Sequence, residues 1–197
     1  MVLRFPNLAI STLEYPEFPA DSYTFQRGEK IAVTEKIPGI QARYVYHEGK
    51  TYMGTQYDWG DTGVELLESV YKQYAGLLRY TQSNPGHVVY AVMYEDKMAV
   101  FSILDATTGQ FIPTTAWRAR AKFMALPLVP LLGVYEWDDN VFRNEIEPLL
   151  SEKSSLLSDQ CRVGLVLTPF NERYDLNFDR VAYQYNKGKN VSASNPS

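Results

Sequence analysis

The sequence predicts an α+β fold of mainly antiparallel sheets with flanking helices. Three observations carry that reading. Two pairs of strand-like runs are each joined by a short turn, residues 61–80 place their apolar side chains on one helical face, and the composition is that of an ordinary globular protein, with 45% hydrophobic and 21% charged residues. The 197 residues fit one domain and no long linker divides them, so residues 1–187 are expected to form a single unit.

Along the chain, residues 1–29 hold three prolines and no sustained period, which reads as an extended lead-in. From Ile31 the pattern changes. IAVTEKI is followed by ARYVYHEGKTYMGT, rich in β-branched and aromatic residues, with His47-Glu48-Gly49-Lys50 as turn chemistry between two strands. In 61–80, Asp61 or Thr62 is the expected cap, and Val64, Leu67, Val70, Tyr71, Tyr74, Leu77 and Leu78 form the buried stripe. Asn84-Pro85-Gly86 is a turn, after which HVVYAVMY and MAVFSILDA flank Glu95-Asp96-Lys97 as a second hairpin. ALPLVPLLGVYEW carries Pro127 and Pro130 and suits a short edge strand. DDNVFRNEIEPLL reads as a short capped helix that Pro148 ends or kinks. Strands are expected at 161–168 and 179–185, and the polar residues 188–197 as a mobile tail.

Composition also excludes functions. A net charge of -4 argues against the broad basic surface that non-specific nucleic-acid binding requires, because that affinity comes from neutralising phosphates. One cysteine and two histidines, His47 and His87, leave no Cys/His zinc site, and Cys161 is expected as a packed thiol. The first residues lack the continuous apolar core of a signal peptide, and no run reaches the ~18 apolar residues of a membrane span, so a cytoplasmic protein with no membrane partner is expected. His87 reads as a turn residue, Trp59 and Trp117 as packed aromatics, and Asp58 and Asp61 as turn residues without the setting of an acid/base pair. Arg118, Arg120 and Lys122 alternate as if along one face of a strand and read as a solvated edge.

The run VTEKIPGIQAR around Lys36 resembles the nucleotidyltransferase domain of RNA ligases, part of the DNA/RNA ligase and mRNA capping enzyme superfamily. Further blocks follow in the family's order over about residues 31–187. In that family a Lys-x-Asp-Gly or Lys-Ile-His-Gly motif supplies the lysine that attacks ATP and carries AMP; Lys36 and Gly39 match it, with Pro38 in place of the Asp or His. The resemblance makes Glu35 a residue that helps read adenine and puts Arg43 where the family often has an arginine. It makes Phe101 the aromatic that stacks on the base. Val92 and Val163 stand where the family has glutamates. Gln184 stands at the position of a phosphate-contacting lysine, and Gln56 at that of an arginine.

These replacements share a chemical sense. Mg²⁺ binds oxygen ligands, which valine does not offer, and glutamine donates hydrogen bonds without positive charge. Phosphoryl transfer depends on positioning and on cations that stabilise charge, so their loss removes the catalysis and leaves a pocket. The resemblance therefore implies a ligase-type nucleotidyltransferase domain that binds an adenine-containing nucleotide or an RNA end without ligase activity and without a cofactor or metal. One use of such a pseudoenzyme is sequestering a defence-signalling nucleotide, as a viral protein would. Two alternatives stand beside it. One is an active ATP- and Mg²⁺-dependent RNA ligase with Lys36 as nucleophile and Glu95, Asp105 and Glu172 as stand-in carboxylates. The other is a purely structural domain. RNA ligases usually carry a further C-terminal domain, so sealing by this chain is expected to need a partner.

Overall fold

The computed structural model describes residues 15, 25–55, 64–157, 160–174 and 180–186. They cluster into two compact units, one of residues 38–128 and one that combines 25–37 with the residues after 128.

The first unit is built on a five-stranded sheet. Its strands are β2 (Ile40–His47), β3 (Lys50–Thr55), β4 (His87–Tyr94), β5 (Lys97–Asp105) and β6 (Gln110–Phe111), in the order β3-β2-β4-β5-β6 with every neighbour antiparallel. Both expected hairpins are present. In the first, Glu48 and Gly49 take φ of 47° and 77°, the paired left-handed geometry of a two-residue hairpin turn. Strand β6, only two residues long, was not legible as a strand.

Residues 64–83 form two helices rather than one: α1 (Val64–Gln73) and α2 (Ala75–Ser83), separated at Tyr74, whose φ of -101° and ψ of 84° leave the helical region. The expected cap at Asp61 or Thr62 lies outside the described residues. The break permits a close approach: a Cβ on Gly76 would lie 2.3 Å from the Met124 carbonyl oxygen, so α2 seats its first turn on the 124–125 backbone. The stripe read from the sequence survives the break, because Leu67, Val70, Tyr71 and Leu77 all enter one core with Tyr44, Val89 and Ile103. Fully burying aliphatic side chains of this size contributes about 1.5–3 kcal/mol each.

The segment with Arg118, Arg120 and Lys122 is a helix, α3 (Thr114–Phe123), and not a strand edge. Alanine, arginine and lysine favour helix, and Trp117 and Ala121, one turn apart, are buried. Arg118 and Lys122 therefore share a face that Arg120 does not.

The second unit has a four-stranded sheet, order β7-β1-β8-β9, from β1 (Lys30–Glu35), β7 (Leu131–Glu136), β8 (Gly164–Pro169) and β9 (Tyr183–Asn186), again antiparallel throughout. β7 is an edge strand, as the prolines before it suggested. Strands β8 and β9 begin three and four residues later than the patterns at 161 and 179 indicated. Ile31, Val33, Leu165 and Leu167 pack on Phe25, Trp137, Ile146 and Leu150.

The expected helix after 138 is a run of changing pitch: α4 (Asp139–Val141), a π turn (Phe142–Ile146) and a 3₁₀ turn (Glu147–Ser151). Asp138 caps it by accepting from the Asn140 N–H at 2.9 Å. Pro148, which has no N–H to give, falls where the pitch tightens. Arg180 grips Glu172 through both carboxylate oxygens at 2.8 and 2.6 Å, and Arg173 holds Glu29 likewise at 2.9 and 3.0 Å. Cys161 is exposed, not packed, because it lies outside β8 in a single bridge to Lys153. The lead-in, apart from Tyr15 and the residues from Phe25, lies outside the described residues, as do Trp59 and residues 188–197. No helix among the described residues is long and apolar enough to cross a membrane.

Candidate functional site

The period-two alternation of β1 divides its side chains between two faces. Ile31 and Val33 enter the second unit's core, while Ala32 and Thr34, and beyond the strand end Lys36, lie on the opposite side. The backbone at this end is held from both neighbours. The Glu35 N–H donates to the Pro130 carbonyl at 3.0 Å, and the Lys36 N–H donates to the Gly164 carbonyl at 2.9 Å. A lysine that closes a strand in this way has a fixed Cα, and its side chain sets out from a defined point.

That side chain crosses β8. Lys36 Nζ, half-buried, donates to Asn186 Oδ1 at 2.8 Å, although β1 and β9 are not adjacent and β8 runs between them. Gly164, which pairs with Asn186, makes the crossing possible. A Cβ there would lie 2.8 Å from Asn186 Oδ1, 2.9 Å from the Tyr185 carbonyl and 3.0 Å from Lys36 Cδ. Glycine is required here for close approach, since the space a Cβ would take is used by the lysine stem and the amide.

Glu35 serves the other side of the same strand end. It is 1% exposed. Its Oε2 accepts from the Ser155 N–H at 3.2 Å and faces Arg162 Nε at 3.6 Å, and Arg162 also donates to the Leu149 carbonyl and to Glu152. Glu35 Oε1 is buried with no hydrogen-bond partner. Gln184 lies two residues before Asn186 on the same face of β9 and pairs with Val166, which in turn pairs with Thr34. Val163 is half-buried between Arg162 and Gly164. The structure thus brings Lys36 and Gln184 onto one face, with Glu35 on the other side of the strand end and Val163 next to Gly164 in the chain. Sequence reasoning missed Asn186 and Gly164. Asn186 was detectable as the next same-face position after Gln184, and Gly164 as the glycine that opens β8.

The remaining candidates belong to the first unit. Gly39 begins β2 against β4: a Cβ would sit 2.0 Å from the Met93 carbonyl oxygen and 2.8 Å from Val92 Cγ2. Arg43 is 3% exposed, pairs with Gly54 and Tyr90, and donates from Nη2 to the Thr55 carbonyl at 2.7 Å. Val92 is buried opposite Gln41. Phe101 occupies a bulge in β5, where Tyr90 pairs with Ser102 and Ala91 with Val100. The extra residue resets the alternation, so that Val100 and Ile103 both join the first core while Phe101 and Leu104 join a second cluster with Val45, Val88 and Tyr90. Phe101 and Phe111 approach Tyr90 at ring-centroid distances of 6.2 and 6.0 Å. Gln56 lies outside the described residues.

The carboxylates considered as metal stand-ins are engaged elsewhere. Glu95 pairs with Lys97, Asp105 accepts from the Thr107 N–H and hydroxyl at 2.8 and 2.6 Å, and Glu172 is gripped by Arg180. Valine at 92 and 163 has no oxygen to offer, and among the described residues no three His, Cys, Asp or Glu side chains gather as a metal site would require. The residues present do not fit a divalent cation at those positions.

Apart from these groups, His87 Nδ1 lies 3.2 Å from Tyr80 Oη at the foot of β4. Burial lowers the His87 pKa, with Asp105 opposing and Arg120 adding to the shift, and burial pushes the Tyr80 phenol up to about 12 against the pull of Arg120.

No family model matches the chain. No curated protein matches its sequence. Solved structures do match. A mutant of Naegleria gruberi RNA ligase with ATP and Mn aligns with a TM-score of 0.64 and 14% identity, over 80% of this chain and 49% of that one. An archaeal ATP-dependent RNA ligase aligns with a TM-score of 0.66 and 16% identity, over 89% of this chain and 48% of that one. The chain has the fold of an RNA ligase nucleotidyltransferase domain. It spans about half the length of the solved ligases it matches. Another mutant of the Naegleria ligase, with AMP and Mn, aligns with a TM-score of 0.65 and 14% identity, over 81% of this chain and 50% of that one. The RNA ligase fold accounts for the two antiparallel sheets, and identities this low leave the chemistry to be argued from the residues.

Proposed function

We propose that this RNA-ligase-fold protein holds an adenine-containing nucleotide at the Lys36 end of β1 and does not transfer it. One observation carries the reading: Lys36 is fixed at its backbone, its amine donates across Gly164 to the neutral amide of Asn186, and the next row on this face offers the neutral Gln184. A ligand phosphate reaching this row meets one lysine and the amides of Asn186 and Gln184, which is a binding set. Adenine is the favoured base because mutants of the Naegleria gruberi RNA ligase, which shares the fold, were solved with ATP and with AMP.

Calorimetry against adenosine and guanosine nucleotides tests binding, and α-labelled ATP with Mg²⁺ tests transfer. The expected result is adenine-selective binding that Lys36→Ala weakens by about 10- to 100-fold, the equivalent of one charge-assisted hydrogen bond of ~1.5–3 kcal/mol. No label should remain on the denatured protein. Label that is retained by the wild type and lost in Lys36→Ala would overturn the proposal in favour of an active ligase.

A further inference from the structure

Helix α3 presents two different apolar faces. Thr114, Trp117 and Ala121 are buried and, at about 100° per residue, fall within an arc of about 60°. Ala116, Ala119 and Phe123 are exposed and fall within a second arc of about 60° on the opposite side. Phe123 is 89% exposed and joins none of the apolar clusters. Arg120 borders this seam on one flank and Lys122 on the other, both exposed. Among the described residues no carboxylate pairs with either, nor with the exposed Arg79 of α2, the helix that seats on the backbone just beyond α3. Neither helix contains an acidic residue. Cations in a last turn complement the helix dipole, which accounts for the sign of Arg120 and Lys122. It does not account for a phenylalanine ring left in water between them.

From this we infer that the exposed face of α3 docks an acidic amphipathic helix of a partner protein. The apolar stripe of such a helix lies along Ala116, Ala119 and Phe123, whose spacing of three and then four residues is that of a helix–helix seam. The two alanines admit close approach, and the Phe123 ring is the anchor. Carboxylates bordering the stripe meet Arg120 on one side and Lys122 on the other, which fixes both the register and the sign of the partner. Other occupants match this face less well. A second copy would set these cations against their own kind. A lipid surface takes up a wider apolar face than one ring beside two methyl groups. A nucleic-acid strand tracks a continuous run of cations and stacks on aromatic rings, whereas these cations stand on opposite flanks of an uncharged seam. The inference concerns the first unit alone and does not depend on nucleotide binding.

The test is fluorescence anisotropy of the full chain against three labelled probes: two synthetic three-heptad peptides with leucine at the seam positions and either glutamate or lysine at the flanks, and a single-stranded oligouridylate. The glutamate peptide is expected to bind in the micromolar range, more weakly as salt rises, and the lysine peptide not at all. Phe123→Ala should weaken the glutamate peptide by at least about tenfold and leave the melting temperature unchanged, because the ring packs on no core. Reversing both flanks, Arg120→Glu with Lys122→Glu, should abolish binding of the glutamate peptide and admit the lysine peptide. Leu66→Ala, which removes an exposed apolar side chain from α1, should change nothing. Failure of the glutamate peptide to bind at up to ~1 mM, or equal binding by wild type and Phe123→Ala, would overturn the inference. So would binding of the oligouridylate in place of the peptide, which makes the face a nucleic-acid surface, or self-association of the chain that Phe123→Ala abolishes, which assigns it to a second copy.

Discussion

Replacing Gly164 by alanine isolates the contribution of the gap beneath Lys36. The added Cβ meets three atoms at 2.8–3.0 Å: Asn186 Oδ1, the Tyr185 carbonyl oxygen and Lys36 Cδ. Two of these belong to side chains that can turn away, and the third is backbone of β9, a four-residue edge strand that must shift. Overpacking of this kind costs about 1–3 kcal/mol. Gly164 does not hold a left-handed φ, so alanine is unstrained there and recovers ~0.4–1 kcal/mol by restricting the unfolded chain. The net loss is about 1 kcal/mol, or roughly 2–4 °C in melting temperature for a chain of this length. The larger expected effect is on the site, because the lysine and the amide no longer meet: affinity for AMP falls about tenfold. Thermal and denaturant unfolding with calorimetry on the same samples give both readings. Unchanged stability together with unchanged AMP affinity would refute the account of Gly164 as the crossing point for Lys36.

Three further outcomes follow from the packing and charge of the two units. Glu172→Ala leaves Arg180 buried without its carboxylate and should cost about 3–5 kcal/mol in guanidinium unfolding, whereas the paired change Glu172→Leu with Arg180→Met should come out near neutral; a loss below ~1 kcal/mol for the single change contradicts the buried pair. Gly39→Ala places a Cβ 2.0 Å from the Met93 carbonyl oxygen and should destabilise the first unit by ~2 kcal/mol or more, seen as a lower melting temperature. Burial lowers the His87 pKa below the usual 6.5, so the fold favours its neutral form. Its contribution is intact above the unfolded-state value and is lost as pH falls from there toward the folded value, because only the unfolded chain takes up the proton in that window. Unfolding titrations between pH 7 and 5 should show that slope in the wild type and a shallower one in His87→Gln, and identical slopes count against it.

Much of the architecture was readable because it is local. The hairpins at β2–β3 and β4–β5 declare themselves through alternation and through Glu48-Gly49 and Glu95-Asp96, whose positions set the register. The helical stripe of 64–83 was visible because Leu67, Val70, Tyr71 and Leu77 recur at helical spacing, but the break at Tyr74 was not. That break answers the approach of Gly76 to residues 124–125, about 50 positions away in the chain, and local pattern carries no trace of it. Arg118, Arg120 and Lys122 misled because a short run alternating basic and small residues satisfies a period of two as well as a helix. The buried pair Trp117 and Ala121 decides between them.

The site divides along the same line. Lys36, Glu35 and Gly39 stood out as a contiguous run, but what Lys36 does depends on Asn186, 150 positions later, and on Gly164 between them in space. A lysine becomes a nucleophile when apolar burial or a neighbouring cation drives off its proton. In this chain the Lys36 amine donates to an amide oxygen. Gln184 and the adjacent same-face position, Asn186, are both neutral amides, and Asn186 accepts from the lysine itself. The fold of an RNA ligase domain is therefore compatible with amides at these two positions. The geometry that fixes Lys36 comes from backbone pairing, and it is the side chains at 184 and 186 on which the proposal of holding without transfer turns.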